Sequence, residues 1–439
     1  MRGSAPGASA SFRGYLAGTA LVLALFGYSA VALLLPTGEE GGSAPTILFR
    51  AASAAVFCAA YLAVPRAQGF RAASLWPLHL FLALYALRLF DNFYLRHFVW
   101  FAEPAIAFGL LLGSAWLPAL LLPPLLPLQT QRSFVVPMMA ACGVFLLGVL
   151  LNLDAFRSPD IFFGRVGTEK LNPISLGGAA TSMALFLLLW RNRAWWITVA
   201  QYVAVGGFLV VALLTQSRGP LIATAVCLVL LLTLSRGETR RRLTRLALLG
   251  LVVSAAGMTS FVHDIASVGF QRFLFSDGVM DDSAMGRVQA WSAAWRQFLA
   301  GPLIGDRVFE PVLLYYPHNL FMETLISLGL VGATILVVHL AISLRATIWL
   351  LRRPDTPPYV VFIAISFVKD LIQAQFSGAV YTNTTVWVAS ACTIALYSAY
   401  RRDVRRRKLA VRMAEAMPVQ ASAWDPEDLV YENLSRAPR

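Results

Sequence analysis

Residues 195–234 read WWITVAQYVAVGGFLVVALLTQSRGPLIATAVCLVLLLTL, and Arg218 is the only charged side chain among them. Two apolar runs flank the six-residue segment TQSRGP, 215–220. A span across the hydrocarbon core of a bilayer needs about 20 apolar residues, with a range of about 17–25. Apolar and polar residues do not alternate here, as they would along the strands of a membrane barrel. Lipid tolerates only backbones that satisfy their own hydrogen bonds, so continuous apolar runs imply helices. The stretch reads as two membrane helices joined by a tight turn that carries one arginine.

The whole chain has the same character. It has 439 residues, 58% hydrophobic and 13% charged, with a mean hydropathy of +0.66. A soluble domain is roughly 45–50% apolar and about 25% charged. A soluble enzyme, a coiled coil and a disordered chain are therefore excluded. The expected fold is all-α, a polytopic membrane protein of about 12 transmembrane helices with a long loop containing short interfacial helices. Candidate spans fall near 14–35, 47–64, 76–90, 105–126, 134–153, 173–190, 195–214, 219–234, 246–262, 319–344, 358–376 and 385–400. The first run is expected to remain as a span, because it is too long for a signal peptide and lacks a small-residue cleavage site. Cys58, Cys142, Cys227 and Cys392 all sit in apolar runs, and no CxxC or Cys/His pattern signals a disulfide framework or a zinc site.

Cations set the orientation. With a cytoplasmic N-terminus, 24 of the 36 lysines and arginines fall in inside segments and 9 in outside segments. This agrees with the positive-inside rule and puts both termini in the cytoplasm. It also accounts for the net charge of +13 as a topology signal, so no nucleic-acid partner is implied. The expected organisation is a helical domain over 1–400, a long outer loop at 263–318 within it, of a length that is usually functional or disordered, and a tail at 401–439. The tail opens with RRDVRRRKL. It reads as an anchor to anionic lipid followed by a disordered end.

The cations outside run against the topology rule and need a reason. Arg218 stands where TQSRGP enters the next helix, with Pro220 suited to its first position. Free N–H groups, the helix dipole and a guanidinium converge there as an anion site; a snorkelling anchor is the other reading. The similar TLSRGE at 233–238 falls among cytoplasmic arginines and reads as a topology determinant. In the long loop, Val288, Trp291, Trp295, Phe298 and Leu299 recur at helical spacing as one apolar face, flanked by Arg287 and Arg296. That pattern describes a helix lying on the membrane surface.

Next comes YYPHNLF, 315–321, with His318 at the boundary between water and lipid. A neutral imidazole there can accept a proton from a sugar hydroxyl, or simply cap the following helix. Asn319 and Glu323 are candidates to orient it. His79 and His339 are embedded in apolar runs and are expected to pack there; His97 and His263 have weaker context. The other outer loop, FFGRVGTEKLNP, brings Arg165 and Lys170 close to a helix start at Asn172–Pro173. Arg165, Arg218, Arg287 and His318 are thus expected on one side, near the membrane surface. That suits a substrate with a lipid-linked phosphate.

TQSRGPLIA after an apolar run, then GR–x3–W in a long outer loop, then PHNLF entering a span with a GLVG step, resembles the O-antigen ligase and polymerase superfamily. FGRVGTEKLNP fits the same pattern, and the likeness covers roughly 150–340. The resemblance implies a multi-pass bacterial inner-membrane glycosyltransferase of lipopolysaccharide biosynthesis, with its active site on the periplasmic side. The donor would be a glycan on undecaprenyl pyrophosphate and, for a ligase, the acceptor a lipid A-core sugar. The family's essential arginines map onto Arg218 and Arg287, its loop histidine onto His318, and Arg165 is a further pyrophosphate-binding carry-over. The type works with no metal, cofactor or nucleotide sugar. In agreement, the sequence lacks a DxD motif, and Asp281–Asp282 is an isolated pair. Polymerases of the superfamily often carry Arg–x10–Gly loops. Here Leu176 stands eleven after Arg165 and Phe298 eleven after Arg287, which favours the ligase over the polymerase.

Two other classes compete. A lipid or polysaccharide transporter suits twelve spans and the intramembrane Lys369–Asp370. Adjacent residues do not face each other on a helix, so these two are expected to take separate partners, with Arg50 and Arg88 as candidates. The absence of an internal repeat counts against a transporter. A non-catalytic scaffold for glycan assembly would need neither Arg218 nor His318.

Overall fold

The computed structural model describes residues 12–35, 43–64, 72–97, 104–128, 131–153, 171–190, 194–237, 240–241, 243–244, 282–310 and 316–416. Among these residues the secondary structure is entirely helical, with no strand. The main helices are α1 (Phe12–Leu34), α2 (Ser43–Ala63), α3 (Trp76–Phe90), α4 (Pro104–Leu121) and α5 (Gln131–Leu151). There follow α6 (Pro173–Leu189), α7 (Trp195–Leu214), α8 (Arg218–Leu234), α9 (Asp282–Ala300), α10 (Leu320–Leu351), α11 (Pro358–Gln373) and α12 (Thr384–Ala416). Each expected span coincides with one of these helices, except 246–262, which lies outside the described residues. Six of the described helices are long and apolar enough to cross a membrane, and α6 and α8 are shorter apolar helices.

The centre of the bundle is built from α6, α11 and the first half of α12. Tyr359 to Lys369 of α11 are all buried, as are Leu176 to Leu187 of α6. Small residues let α6 approach its neighbours, as is common where helices pack in membranes. A Cβ on Gly177 would lie 2.7 Å from Thr215 Oγ1 and 3.4 Å from Pro220 Cγ, so α6 seats directly against the 215–220 turn. Phe134, Phe186 and Phe362 form an aromatic cluster with ring centroids 5.3–6.2 Å apart.

In four places the structure adds to the sequence reading or runs against it. First, α12 does not stop near residue 400. It continues to Ala416, so the basic opening of the tail, RRDVRRRKL, is helical; Arg407 and Asp403 pair at 2.8 Å across one turn of it. Residues 417–439 lie outside the described residues.

Second, α10 is broken within its GLVG step, at Gly329, where φ is 61° and ψ −157°. The loop 302–306 enters the break: Leu330 N donates to Pro302 O at 2.8 Å, Val331 N to Leu303 O at 3.1 Å, and Asp306 N to Ile326 O at 2.8 Å. These bonds replace the ones a straight helix would make. Arg88 completes the exchange by donating to Ser327 O at 2.8 Å and Ile304 O at 2.8 Å, while pairing with Asp91 at 3.0 Å.

Third, Lys369 and Asp370 pair with each other at 3.0 Å rather than with separate partners. The long lysine stem bends back along the helix, which spacing between Cβ atoms does not reveal. Arg50 instead donates to Ser114 Oγ at 2.9 Å and lies 4.4 Å over the Tyr28 ring.

Fourth, the apolar face expected on α9 is split. Val288 and Trp295 are 43% and 46% exposed, whereas Phe298 is 8% exposed. Ala294 and Phe298 pack against Ile326 and Leu325 of α10. Ala290, Ala293 and Ala294, which a hydrophobic-residue count passes over, join Phe298 on the protein-facing side, while Val288, Trp295 and Leu299 face outward.

Candidate active site

Three chain segments meet at the start of α10. His318 has φ +52°, a left-handed conformation that is uncommon for a residue with a Cβ. Such backbone persists only where its surroundings hold it, and it clusters at functional sites. Two contacts hold it here. Trp291 of α9 donates from Nε1 to Pro317 O at 2.7 Å. Asn319 caps α10, its side chain accepting from Phe321 N and Met322 N at 3.0 Å each. The cap is therefore Asn319 and not His318, which frees the imidazole from that role. Tyr316 stacks edge-on against the His318 ring, with centroids 4.6 Å apart.

Arg287 lies on the face of α9 that Trp291 presents, one turn earlier. Its charge reaches His318. Burial, and then the nearby Arg287 guanidinium, push the imidazole from its ordinary 6.5 down to about 4. His318 is therefore neutral at pH 7, the form that accepts a proton.

Arg218 comes from α8. The turn before it passes through Gln216 at φ +47°, and Ser217 stands at the N-cap position in extended backbone. The helix begins at Arg218 itself, so Pro220 is its third residue rather than its first. Gly219 abuts Phe376, whose Cβ would be 3.3 Å from any Cβ placed there. The start of α10 rests on the two residues before Phe376, a short strap, with Leu320 N donating to Ala374 O at 3.1 Å and Asn319 Nδ2 to Gln375 O at 3.3 Å. The segment 374–376 thus joins the helix start that carries Arg218 to the one that follows His318.

Arg165 lies outside the described residues. The helix that follows it, α6, opens at Asn172, whose side chain accepts from Ser175 N at 2.9 Å, and Gly177 one turn on touches Thr215 of the Arg218 turn.

Glu323 does not orient His318. It is fully buried and turns the other way, accepting from Tyr85 Oη and from Val380 N at 3.0 Å. It fastens the first limb of α10 to α3 and to the turn before α12. A carboxylate five residues along a helix from the loop it follows points into the bundle, and spacing alone does not show that. Among the described residues, no three His, Cys, Asp or Glu side chains gather as ligands for a metal ion.

Residues 203–337 match the O-antigen ligase family. The matched segment runs from α7 through α8 and α9 to the middle of α10, and it contains Arg218, Arg287 and His318. The match supports the O-antigen ligase/polymerase superfamily for this chain. A comparison with curated proteins gives no match. Within the matched segment, the described structure sets one guanidinium, Arg287, where its charge acts on the His318 imidazole, and places a second, Arg218, at a helix start whose next residue packs against Phe376. A neutral imidazole can take a proton, and guanidinium groups can hold an anion.

Proposed function

We propose that this protein is an O-antigen ligase. It moves a glycan from undecaprenyl pyrophosphate to a lipid A-core sugar, at the periplasmic face of a bacterial inner membrane, without a metal. The observation that carries the reading is the bond from Trp291 to Pro317, which seats α9, and with it Arg287, against the His318 loop inside the segment that matches the family. In the reaction, the acceptor hydroxyl oxygen bonds to the anomeric carbon as the bond from that carbon to the pyrophosphate oxygen breaks. The configuration inverts. The hydroxyl proton passes to His318, and the electron pair leaves on the pyrophosphate. Arg218 and Arg287 hold that anion as its charge grows, and Arg165 is assigned to the same task. Pyrophosphate is a good leaving group, so positioning and electrostatic stabilisation supply most of the rate.

The deciding experiment gives purified protein an undecaprenyl-pyrophosphate glycan and lipid A-core together. One joined product supports the ligase. Lengthening of the lipid-linked glycan indicates the polymerase, and lipid crossing the bilayer without product indicates a transporter. His318→Ala is expected to lower transfer by about 100-fold or more, with normal insertion. Unchanged transfer in that variant would remove His318 from the mechanism.

A pH dependence follows. A base with a depressed pKa stays active until the pH falls through the depressed value, so the acid limb of kcat/KM, which reports the free enzyme, is expected near pH 4. Arg287→Gln removes the second cause of the shift and leaves burial, the larger one. The limb should therefore move up toward 6.5 without reaching it. A limb that stays put in the variant would show that the arginine does not act on the imidazole.

A further inference from the structure

A chamber of about 340 Å³ is lined by α1, α2, α4, α6, α11 and the 377–385 segment, and its wall reaches Tyr316, the residue stacked on His318. The described residues lining it include neither Arg218, Arg287 nor His318. Lys369 is its most costly feature, 1% exposed and paired with Asp370 at 3.0 Å, with Gln373 Oε1 3.4 Å away. A charge within a span is expensive and marks function by default. An ion pair kept from water seldom stabilises a fold more than apolar residues of the same size would. The opposite wall is shaped to the pair. Ser175, Gly178 and Ser182 recur along one face of α6, and a Cβ on Gly178 would lie 2.6 Å from Gln373 Nε2.

The lining decides the kind of ligand. A diphosphate needs several uncompensated cations, but Lys369 is neutralised by Asp370, and the remaining cation of the described lining is Arg50, bonded to Ser114 and lying over the Tyr28 ring. A prenyl chain would strip these polar groups of water and return no hydrogen bonds. A sugar ring suits them, because each hydroxyl both donates and accepts, and carboxylate, ammonium, amide and hydroxyl groups serve both needs. The volume is at the low end of the range of about 300–1,000 Å³ for small-molecule sites, which fits a ring or two. We propose that this chamber holds a sugar ring of a lipid-linked substrate next to His318, with the Lys369–Asp370 pair binding its hydroxyls. The assignment rests on the glycosyl-transfer reading above and deepens it. The ring belongs either to the donor glycan or to the acceptor core.

The test uses full-length protein in nanodiscs and measures binding of three probes: bare undecaprenyl pyrophosphate, the same lipid carrying one N-acetylglucosamine, and lipid A-core. Lys369→Met and the double variant Lys369→Met/Asp370→Leu are compared with wild type. If the donor ring occupies the chamber, both variants lose about tenfold in affinity for the sugar-bearing lipid, and bare lipid binds as before. If the acceptor ring occupies it, the same loss appears for lipid A-core and both undecaprenyl probes are unaffected. Gly178→Leu, which fills the chamber and leaves both charges in place, is expected to reproduce the pattern. Wild-type binding by the double variant for all three probes would overturn the proposal, since a pair needed only to neutralise itself is dispensable once both charges are gone. Equal loss for all three probes would overturn it too. Should the wild-type protein transfer no glycan, the glycosyl-transfer reading falls, while the binding comparison still tests the chamber.

Discussion

Replacing Arg218 with Gln is expected to lower glycan transfer on the order of 100- to 1,000-fold, the usual cost of removing one donor that stabilises a developing anion. The reason lies in where α8 starts. Its first N–H groups have no partner within the helix, and they add a partial positive charge that favours an anion at that end. The guanidinium adds a planar fork able to grip two phosphate oxygens at once. Arg218→Lys separates this role from simple anchoring. Lysine snorkels as well as arginine does but offers a point charge in place of the fork. A gripping role predicts that Lys recovers only part of the rate, leaving roughly a tenfold deficit. An anchoring role predicts full recovery by Lys and a mild effect of Gln. Yield and elution of the purified variants give the control for insertion.

The extent to which this was legible in the sequence differs by level. Helix positions were readable because membrane spans leave an unbroken apolar record, and α7 begins and ends at the expected residues, 195 and 214. The strap at 374–376 was not readable. It bonds through backbone carbonyls of Ala374 and Gln375, and any residue has those. The same limit hid the break in α10. Gly329 was visible only as part of a GLVG step, and nothing in the text of the chain says which loop would fill a gap there. The segment AGPLIGD, 300–306, does carry turn signals in Gly301, Pro302 and Gly305. They announced a turn, not its destination. Side-chain reach misled as well: the Lys369 stem folds back on its neighbour, and Glu323 faces away from the histidine it was expected to serve. What the sequence offered as candidates for the site were residue types whose chemistry has few alternatives, arginine outside the topological bias and histidine at a span boundary.

Gly329→Ala is expected to destabilise the protein by roughly 3 kcal/mol or more and to lower the apparent melting temperature on the order of 5 °C. Two separate costs combine. At φ 61° and ψ −157° the backbone occupies a region that is essentially confined to glycine. An added Cβ would also overlap the backbone carbonyl of Leu303, and a carbonyl fixed by its bond to Val331 N cannot yield as a flexible side chain would. Relief requires the 302–306 loop to leave the break. Leu330 N, Val331 N and Ile326 O then lose their partners in a setting with little water to replace them. The consequence reaches the site, because the first limb of α10 is held at both ends. Trp291 on Pro317 and Asn319 on Gln375 fix its start, and the loop bonds fix its finish. A misplacement of 1 Å far from the chemistry can cost about 100-fold in rate. The variant that remains folded should therefore show a depressed kcat as well as a lower melting temperature. His339→Gln, further along the second limb and bonded to Ser390 at 2.9 Å, lies beyond the break and should spare the kcat of folded protein. If Gly329→Ala melted and turned over like wild type, the interlock would not be what positions His318.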